Sequence, residues 1–374
     1  MPKLLILITE DWFFVSHFLP MARAARAAGF DVSVATRAVN HGQRIEDEGF
    51  RLIPFPWRRQ SSRVMALSRE VIAARRLIAE QEPDVVHAIA LRPVLIAGLA
   101  RLGLPVRRTI LAVTGRGVLD IATGTARLGQ WLVYGLIRRL AASNSVQFLF
   151  ENVDDAQALG FSSTSDPRMV LVGGAGIDPD KYQQQPAPPF PPLRAAVVAR
   201  MIRSKGIDHA VEAVLRARRS GIAVELDLYG EPDPLNPQSF TRAELEKWSS
   251  LEGIRWHGRI DDVAGVWRNA HVALVPSRGG EGLPRSLLEA AACGRPIIAS
   301  NVPGCRDFVR DGNEGLLVAP NDANALADAL RWLAEAPERI VAMGAAARSR
   351  VLDGFTEQHV QAVVTRLYRE ALDP

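Results

Sequence analysis

Residues 276–289 read Pro-Ser-Arg-Gly-Gly-Glu-Gly-Leu-Pro-Arg-Ser-Leu-Leu-Glu. The short apolar run Val272–Val275 in front of them is typical of a buried parallel strand, and the alanine-rich run after them favours a helix. A glycine loop joins the two, and Pro284 stands where the first residue of the helix is expected. This order of strand, loop and helix directs backbone N–H groups and the positive end of a helix towards an anion.

Two carboxylates flank the start of this helix. Glu281 lies in the loop, and Glu289 follows about two helical turns later. A carboxylate beside a phosphate site is poorly suited to the phosphate, but it accepts hydrogen bonds from sugar hydroxyls. The stretch therefore predicts a nucleotide-sugar pocket, unless it is only a glycine loop that opens an ordinary helix of an α/β sheet.

The length of 374 residues allows two domains of ordinary size, and 48% apolar with 23% charged residues is typical of soluble globular proteins. The first apolar run, Leu4–Ile8, is too short for the core of a signal peptide. No uninterrupted apolar run reaches about 18 residues, so we expect no transmembrane helix. Cys293 and Cys305 are expected to be small buried residues of a reducing cytoplasm rather than redox or metal residues.

The charges are distributed unevenly along the chain. Residues 1–150 carry 20 Lys and Arg against 11 Asp and Glu, and the remaining residues carry 25 against 30. This asymmetry predicts an anionic partner for the first half. An anionic membrane or a phosphorylated lipid fits better than nucleic acid, because no binding module is recognisable and aromatic residues do not interleave with the basic ones. A merely solvated basic face is the remaining alternative.

Short apolar runs alternate with amphipathic helical segments along the whole chain, which predicts parallel sheets with helices on both faces. The proline-rich segment 183–193 interrupts the alternation and can be neither helix nor central strand. We therefore predict an α/β protein with two Rossmann-like doubly wound domains facing across a cleft. They comprise residues 1–182 and 194–353, and a final helix in 354–374 is a candidate to pack back on the first domain.

Further candidate residues follow the other strands of the second domain. Arg200 and Lys205 come after its first strand, at the edge of an open α/β sheet where ligands bind. Because the chain has only 4 lysines against 41 arginines, a lysine here indicates a compact charge for phosphate, unless it is a surface residue before a helix. Gly230 and the His257-Gly258-Arg259 turn end the next two strands, where the backbone must approach a ligand or turn sharply.

Together these signatures resemble the retaining glycosyltransferases of family 4, which have the GT-B fold of two facing Rossmann-like domains. The most specific element is the pair Glu281 and Glu289, with seven residues between them. The other matching positions follow in the same order as in the family: Arg200, Lys205-Gly206, Gly230, His257-Gly258-Arg259, Pro276-Ser277, residues 291–296, Val302-Pro303-Gly304 and residues 311–318. The resemblance covers nearly the entire chain.

The resemblance implies a role for each residue of the donor site. Arg200 and Lys205 would hold the diphosphate and neutralise the leaving group, Glu281 would contact the donor sugar, and Glu289 would bind the ribose. The backbone of five further residues would approach the donor: Gly282, Leu283, Gly230, Arg259 and Ile260. The resemblance implies no metal and no other cofactor, because the basic pair and the helix end supply the positive charge.

The first domain departs from the family pattern in two places. Many relatives have a Gly-Gly loop after the first strand, whereas residues 9–17 here are similar to bacterial enzymes that extend undecaprenyl-diphosphate-linked sugars. Many relatives also carry a histidine after the strand at Thr109–Val113, where this chain has Thr114-Gly115-Arg116. We expect His17, Thr114 and Arg116 to bind the acceptor, although His17 would serve equally as a capping or packing residue.

The implied activity is the transfer of a hexose or N-acetylhexosamine from a nucleotide sugar, with retention of configuration, and we expect the nucleotide to be UDP. The implied acceptor is a lipid-diphosphate-linked saccharide of a bacterial surface glycan. The basic helices at 63–80 and 126–142, with Trp12, Phe13 and Phe14 at the cleft rim, are expected to dock on the inner face of the cell membrane. The alternatives are a UDP-sugar 2-epimerase or a sugar-phosphate synthase on the same fold, and a non-enzymatic nucleotide-sugar-binding protein.

Overall fold

The computed structural model describes residues 1–57, 64–115, 126–140, 143–161 and 166–372, with the backbone alone at 64–66 and 126–132. The chain divides into two compact units. The first unit is formed by Met1–Gly176 together with the segment from Glu357 onward, and the second by Ile177–Thr356. The proline-rich segment 183–193 therefore belongs to the second unit.

The first unit is built on a parallel sheet. Its strands are β1 (Lys3–Glu10), β2 (Asp31–Arg37), β3 (Arg51–Pro54), β4 (Val85–Ile89), β5 (Arg108–Val113), β6 (Val146–Phe150) and β7 (Met169–Leu171). Their order across the sheet is β3-β2-β1-β4-β5-β6-β7, which is a doubly wound arrangement. The central strands are continuous apolar runs because helices cover both faces, and every residue of β4 and β6 is buried.

Helices of 3 to 18 residues connect these strands. They are α1 (Asp11–Phe13), a π-helix (Phe14–Phe18), α2 (Leu19–Ala27), α3 (Gly42–Asp47), α4 (Val64–Gln81), α5 (Leu91–Ala100), α6 (Ala126–Leu140) and α7 (Val153–Ala158). The side chain of Asn152 accepts a hydrogen bond from the backbone N–H of Asp155 and so caps α7. The first helix, α1, starts directly after β1. The apolar periodicity, which begins at Phe18, predicts a later start.

The second unit repeats the same architecture with six parallel strands. They are β8 (Leu193–Val198), β9 (Val224–Tyr229), β10 (Ile254–Trp256), β11 (Val272–Val275), β12 (Ile297–Ser300) and β13 (Gly315–Val318). The order across the sheet is β10-β9-β8-β11-β12-β13. The chain thus winds outward from β8 in one direction and from β11 in the other. The point where the winding reverses lies between these two neighbouring strands.

Seven helices of the second unit cover this sheet among the residues that the structure describes. They are α8 (Ile207–Arg219), α9 (Arg242–Ser249), α10 (Val263–Asn269), α11 (Arg285–Ala292), α12 (Cys305–Phe308), α13 (Ala323–Ala334) and α14 (Pro337–Gly354). Local sequence sets two of their starts. Thr241 and Glu244 form a capping box at α9, and Asp322 accepts two backbone N–H groups at the start of α13.

The C-terminal helix α15 (Glu357–Glu370) belongs to the first unit, where it packs against α2. Its Tyr368 hydroxyl lies 2.7 Å from Nδ1 of the fully buried His87 on β4. Burial lowers the pKa of His87 to about 3, so the ring stays neutral at ordinary pH. His87 is therefore a core residue that ties the end of the chain to the central strands.

The proline-rich segment is fixed to the second unit by buried polar side chains. Arg295 donates a hydrogen bond from Nη2 to the carbonyl of Pro186 at 2.8 Å. His271 bonds the carbonyl of Pro188 through Nε2 at 2.9 Å and accepts the backbone N–H of Arg194 at Nδ1. Burial lowers the pKa of His271, which favours the neutral ring that this pattern requires. The segment is thus a pinned strap and not a free spacer.

Candidate active site

The candidate site lies where the loops after β8 and β11 meet. These two strands are neighbours in the sheet, and the winding reverses between them. In open α/β sheets the carboxyl ends of strands at such a point form the crevice in which ligands bind. The loop after β8 carries Lys205, and the loop after β11 carries Glu281 and leads to Glu289 on α11.

A glycine allows the two loops to touch. Gly206 has a φ of +66°, and a Cβ at this position would lie 1.9 Å from the carbonyl oxygen of Pro276. The backbone N–H of Arg278 donates to the carbonyl of Ser204 at 2.8 Å, and its guanidinium pairs with Asp208 at 2.6 Å. The loops are therefore held together by backbone contact and by the ion pair between Arg278 and Asp208.

Lys205 and Glu281 form the centre of the site. Nζ of Lys205 lies 2.7 Å from Oε2 of Glu281, and the hydroxyl of Ser277 donates to Oε1 at 2.9 Å. Both charged side chains remain partly accessible, with 22% and 15% of their surface exposed. Lys205 also lines a small pocket, together with Ala199, Pro276, Ser277, Pro284 and Ser286. The cation of Lys205 is thus paired with a carboxylate at the carboxyl ends of β8 and β11.

Glu289 lies on α11 with only 7% of its surface exposed. Its Oε1 accepts the Tyr182 hydroxyl at 2.9 Å and the Nε–H of Arg285 at 3.0 Å. Burial, and then the charge of Glu289, raises the pKa of Tyr182, so the phenol stays protonated. Sequence reasoning missed both partners. Arg285 is four residues from Glu289 on one helix and was detectable, whereas no local pattern indicated Tyr182.

The ends of β8 and β9 are also joined by close backbone contact. Gly230 has a φ of +137°, and a Cβ there would lie 1.8 Å from the carbonyl oxygen of Ala199. The indole N–H of Trp256 donates to the carbonyl of Gly230 at 2.8 Å. Arg200 donates to Oδ2 of Asp233 at 2.9 Å, and 43% of the Arg200 side chain is exposed. Gly230 is therefore needed for packing between strand ends.

The turn after β10 is organised by a carboxylate that sequence reasoning did not name. Oε1 of Glu231 accepts the backbone N–H of Arg259 at 3.2 Å and would lie 2.8 Å from a Cβ at Gly258. The side chain of Arg259 itself is 71% exposed and reaches Asp261. Ile260 is half-buried against the apolar core. Arg259 and Ile260 therefore offer their backbone, with the side chain of Arg259 turned to solvent.

The backbone of Gly282 is approached by a second loop. A Cβ at Gly304, which has a φ of +80°, would lie 1.7 Å from the carbonyl oxygen of Gly282 and 3.3 Å from the nitrogen of Leu283. Leu283 is buried, with 5% exposure. The loop after β12 thus packs directly against the backbone of the loop after β11. This contact accounts for the glycine in Val302-Pro303-Gly304.

In the first unit, His17 lies within the π-helix that follows β1 and α1. Its Nδ1 is 2.6 Å from the Ser16 hydroxyl, and its ring contacts Phe13 at 4.7 Å between centroids. Ser16 also donates to the carbonyl of Phe13, so its hydroxyl bonds within this turn. Isolated π-helical turns are frequent at functional sites, and His17 is partly exposed there.

The expectation that Phe14 lies at the cleft rim, where it would contact a membrane, is wrong. Phe14 is fully buried and packs edge-on against Phe50 at 6.4 Å. The π-helical turn directs it inward, whereas Trp12 and Phe13 are only partly buried. Phe14 therefore serves the core of the first unit.

Asp11 is a buried carboxylate that no sequence motif indicates. It accepts backbone N–H groups from Val39, Asn40 and His41 at 2.7–2.9 Å, and one from Trp12. Burial alone would raise the pKa of Asp11, but these four donors outweigh it and hold the pKa below its ordinary value. Asp11 therefore fixes the loop after β2 to the beginning of the first helix.

The other expected acceptor residues are described in part. Thr114 follows β5 and is half-buried, and Gly115 beside it has a φ of +111°. Arg116 lies outside the described residues. One strained position was not foreseen. Ala90 has a φ of +74° directly after β4, which neighbours β1 where the winding of this sheet reverses.

Among the described residues, no group of three or more His, Cys, Asp and Glu side chains is arranged to hold a metal ion. Both cysteines are buried and unpaired with each other. Burial raises the pKa of Cys293 to about 11, and burial followed by the nearby charge of Glu281 raises that of Cys305. The thiols are therefore protonated packing groups in the second unit.

Two family models match this chain. "Glycosyl transferase 4-like" matches residues 3–152, and "Glycosyl transferases group 1" matches residues 192–336. The chain belongs to the family 4 glycosyltransferases. The second match contains the whole donor-type site around Lys205, Glu281 and Glu289. The first match contains β1 to β6 with Asp11 and His17.

Several family 4 relatives are similar over different lengths. The chain is 28% identical to a phosphatidyl-myo-inositol mannosyltransferase of Mycobacterium leprae, over 90% of this chain and 88% of the relative. It is 22% identical to an N,N'-diacetylbacillosaminyl-diphospho-undecaprenol alpha-1,3-N-acetylgalactosaminyltransferase of Campylobacter jejuni, over 86% of each. It is 30% identical to a Mycobacterium tuberculosis glycogen synthase over 48% of this chain, but this match spans only 43% of that relative.

Solved structures show the GT-B fold. A sucrose-phosphate synthase from Thermosynechococcus elongatus superposes with a TM-score of 0.79 at 20% identity, covering 99% of each chain. HepE from Anabaena, in complex with UDP-glucose, gives a TM-score of 0.75 at 14% identity over 99% of this chain and 100% of that one. The predicted GT-B class, with two Rossmann-like doubly wound domains, is thereby confirmed.

Proposed function

We propose that this chain is a retaining glycosyltransferase that moves a hexose or N-acetylhexosamine from a UDP-linked donor to a lipid-diphosphate-linked saccharide. The observation that carries the proposal is the ion pair between Lys205 and Glu281, at the point where the winding of the second sheet reverses. The loop that carries Glu281 leads directly into α11, which carries Glu289. Two names among the similar proteins support the finer terms. One mentions UDP-glucose as a bound ligand, and the other a diphospho-undecaprenol acceptor.

In this proposal the diphosphate of the donor displaces the carboxylate of Glu281 from the ammonium group of Lys205. Lys205 exchanges Glu281 for a phosphate oxygen, and Glu281 then accepts hydrogen bonds from hydroxyls of the donor sugar. Arg200, half-exposed at the neighbouring strand end, adds a second cation. Charge on the departing diphosphate is thus neutralised by side chains, and the proposed reaction uses no metal and no other cofactor.

The proposed chemistry is a front-face displacement at the anomeric carbon. The bond from this carbon to the diphosphate oxygen breaks, and a bond to the acceptor oxygen forms on the same face. The acceptor hydroxyl's proton passes to the departing phosphate oxygen, so no side-chain base is consumed. Glu281 and Glu289 bind hydroxyls and do not form an acid–base pair.

We place the acceptor in the first unit, at the carboxyl ends of β1 and β5. His17 in the π-helix and Thr114 after β5 are the described candidates, with Arg116 as the third residue. The Asp11-bound loop at 39–41 borders the end of β1 and gives this region a fixed backbone. A partly exposed imidazole and hydroxyl suit hydrogen bonds to saccharide or phosphate oxygens.

A lipid-linked acceptor requires access to a membrane surface, and none of the described helices is long and apolar enough to cross a membrane. We propose that α4 docks on anionic lipid through Arg69, Ile72 and Arg76. These residues lie on one face at helical spacing, all three are exposed, and Ile72 has 51% of its surface accessible. Arg75 also binds the carbonyl of Leu102, which brings this half-exposed leucine beside the same helix.

Two arginines of the helices that were expected to dock, Arg75 on α4 and Arg138 on α6, have structural partners. Arg75 donates to the carbonyl of Ala100 at 3.1 Å and so caps the end of α5. Arg138 donates to the carbonyls of Ala158 and Leu159 at the end of α7. Arginine side chains that bond the carbonyls at helix carboxyl ends stabilise the fold. In a membrane assay, the loss of stability caused by substituting them would be mistaken for a loss of lipid binding. Arg63 lies outside the described residues, and the side chain of Arg127 is not described.

The decisive experiment is a transfer assay. Purified protein is incubated with UDP-, GDP- and ADP-sugars, with and without a lipid-diphosphate-linked saccharide, and nucleoside diphosphate release and glycolipid product are measured. We expect release that depends on the acceptor, a product with the donor's anomeric configuration, and the same rate in the presence of a chelator. Turnover without acceptor would favour the epimerase or synthase alternative, and donor binding without turnover would favour a binding protein.

A further inference from the structure

Glu289 is held by two donors on a single oxygen. The Tyr182 hydroxyl and the Arg285 guanidinium both donate to Oε1, at 2.9 and 3.0 Å. We propose that Tyr182 and Arg285 are positioning residues that fix this carboxylate, so that Oε2 alone is presented to the ribose hydroxyls of the nucleotide. This inference rests on the proposed function, because it requires a nucleotide in the site.

The number of acceptor positions supports this assignment. An ionised carboxylate has about four lone-pair sites, two on each oxygen. Two donors therefore fill Oε1, and the structure describes no hydrogen bond to Oε2. The two sites on Oε2 match two vicinal hydroxyl groups, which are the feature that distinguishes a ribose from a deoxyribose. Hydrogen bonds to a charged acceptor in a largely buried position are among the stronger ones in proteins.

The positioning partners are themselves immobilised. Tyr182 is only 2% exposed, and its backbone carbonyl accepts from the guanidinium of Arg348 at 3.1 Å. Its backbone N–H donates to the carbonyl of Asp178 at 3.1 Å. Arg285 is the first residue of α11 and lies one turn before Glu289, with which it also forms an ion pair. The phenol and the guanidinium are thus fixed by the core of the second unit and by α11.

The surroundings of Tyr182 indicate why this residue is a tyrosine and not a phenylalanine. Residues Ile177 and Tyr182 enter the apolar core of the second unit immediately after the division between units. A phenylalanine would fill the same space, so packing alone does not require the hydroxyl. The hydroxyl costs desolvation unless it is bonded, and it donates its proton to Glu289. Its presence is therefore explained by Glu289.

The test compares the affinities of UDP and 2′,3′-dideoxy-UDP for the same protein preparation by calorimetry. We expect the wild type to prefer UDP, and Glu289→Gln to lose most of this preference. Tyr182→Phe should reduce the preference by at least about threefold, the loss expected when one hydrogen bond to a charged group no longer orients it. A ratio of two ligands on one preparation is insensitive to a fraction of misfolded protein.

Tyr368→Phe is the matched control, because it removes a buried tyrosine hydroxyl of the first unit that is bonded to His87. Its preference for UDP should equal that of the wild type. An unchanged preference in Tyr182→Phe would overturn the inference, as would equal binding of both nucleotides by the wild type. If the wild type binds neither nucleotide but binds GDP or ADP, the same comparison is made with that nucleotide. If it binds none, the proposed function itself fails.

Discussion

Glu281 is the residue whose substitution best separates binding from turnover. Its carboxylate is held by Lys205 at 2.7 Å and by Ser277 at 2.9 Å. We expect Glu281→Gln to lower kcat roughly a hundredfold, because the charge that meets the donor sugar in the transition state is lost. UDP should bind at least as tightly as to the wild type, because Lys205 no longer has a competing carboxylate. Steady-state kinetics and calorimetry measure both, and weaker UDP binding with unchanged kcat would contradict the assignment.

The spacing of Glu281 and Glu289 and the position of Lys205 were readable from the sequence because each depends on a local motif. The tyrosine partner of Glu289 was not readable. Tyr182 is 107 positions away, and a contact at that separation exists only through tertiary packing. Asp11 was equally hidden, since its three acceptor bonds to residues 39–41 depend on how β1 and β2 pair.

Asp11 should make the stability of the first unit depend on pH. Its folded-state pKa lies below the ordinary value, so its contribution is complete above the unfolded pKa of about 4 and is lost as the pH falls through the folded value. Asp11→Asn leaves several backbone N–H groups without a charged acceptor and should lower the free energy of unfolding by about 2 kcal/mol at pH 7.

The measurement for Asp11 is denaturant unfolding of both proteins, followed by circular dichroism between pH 7 and pH 3. The difference between wild type and Asp11→Asn should shrink below about pH 4, because the carboxylate then becomes protonated. A difference that stays constant to pH 3 would show that packing, and not the charge, is responsible. Glu357→Gln, an exchange of the same type near the start of α15, serves as a comparison.

At the scale of elements, the contact between the loops after β8 and β11 makes a sharp prediction. Gly206→Ala places a Cβ 1.9 Å from the carbonyl oxygen of Pro276, so one of the two loops must move. We expect loss of UDP binding together with a lower melting temperature. Gly221→Ala, at the other end of α8, has a φ of +83° and nothing within 4 Å, so it isolates the backbone strain.

Gly221→Ala should cost about 1 kcal/mol of stability and leave UDP binding intact. Thermal unfolding and calorimetry on the two variants separate strain from collision. Equal UDP affinities in both variants would mean that the loop contact does not shape the donor site. Equal losses of stability would mean that Pro276 can yield at no further cost.

Elements with a strong apolar pattern were predicted well, and β11 has the expected bounds. The weaker elements were missed for identifiable reasons. β3 is a short strand at the sheet edge that contains Pro54, and α3 has only one fully buried residue, so neither has a clear period. The π-helix has no sequence signature, because it differs from an α-helix only in hydrogen-bond spacing.

For the whole molecule, regular alternation of strand and helix was sufficient to predict two doubly wound parallel sheets. Right-handed crossovers and a parallel sheet leave few other topologies, and both observed strand orders follow them. The division between units was harder to locate. It falls at Gly176–Ile177, before the prolines, because Ile177 and Tyr182 are buried in the second core and Arg295 and His271 pin the proline-rich strap.

The excess of basic residues in the first half of the chain gives the last prediction. Arg69→Ser with Arg76→Ser removes two exposed charges of α4 and leaves the structural Arg75 in place. At about 1 kcal/mol for each basic residue near an anionic membrane, partitioning onto phosphatidylserine or cardiolipin vesicles should fall roughly thirtyfold in a pelleting assay. Added salt should weaken binding of the wild type more than that of the variant, because screening acts on charges that the variant lacks.

The matched control, Arg219→Ser with Arg366→Ser, removes the same net charge from exposed positions on α8 and α15. If net charge alone governed adsorption, both double variants would lose the same affinity. Docking through α4 requires a larger loss for the first variant, and a further loss when Ile72→Ser removes the apolar side chain between the two arginines. An equal loss of vesicle affinity in the two double variants would mean that the basic residues of the first half form only a solvated face. A lipid-linked acceptor would then have to reach the enzyme without docking through α4.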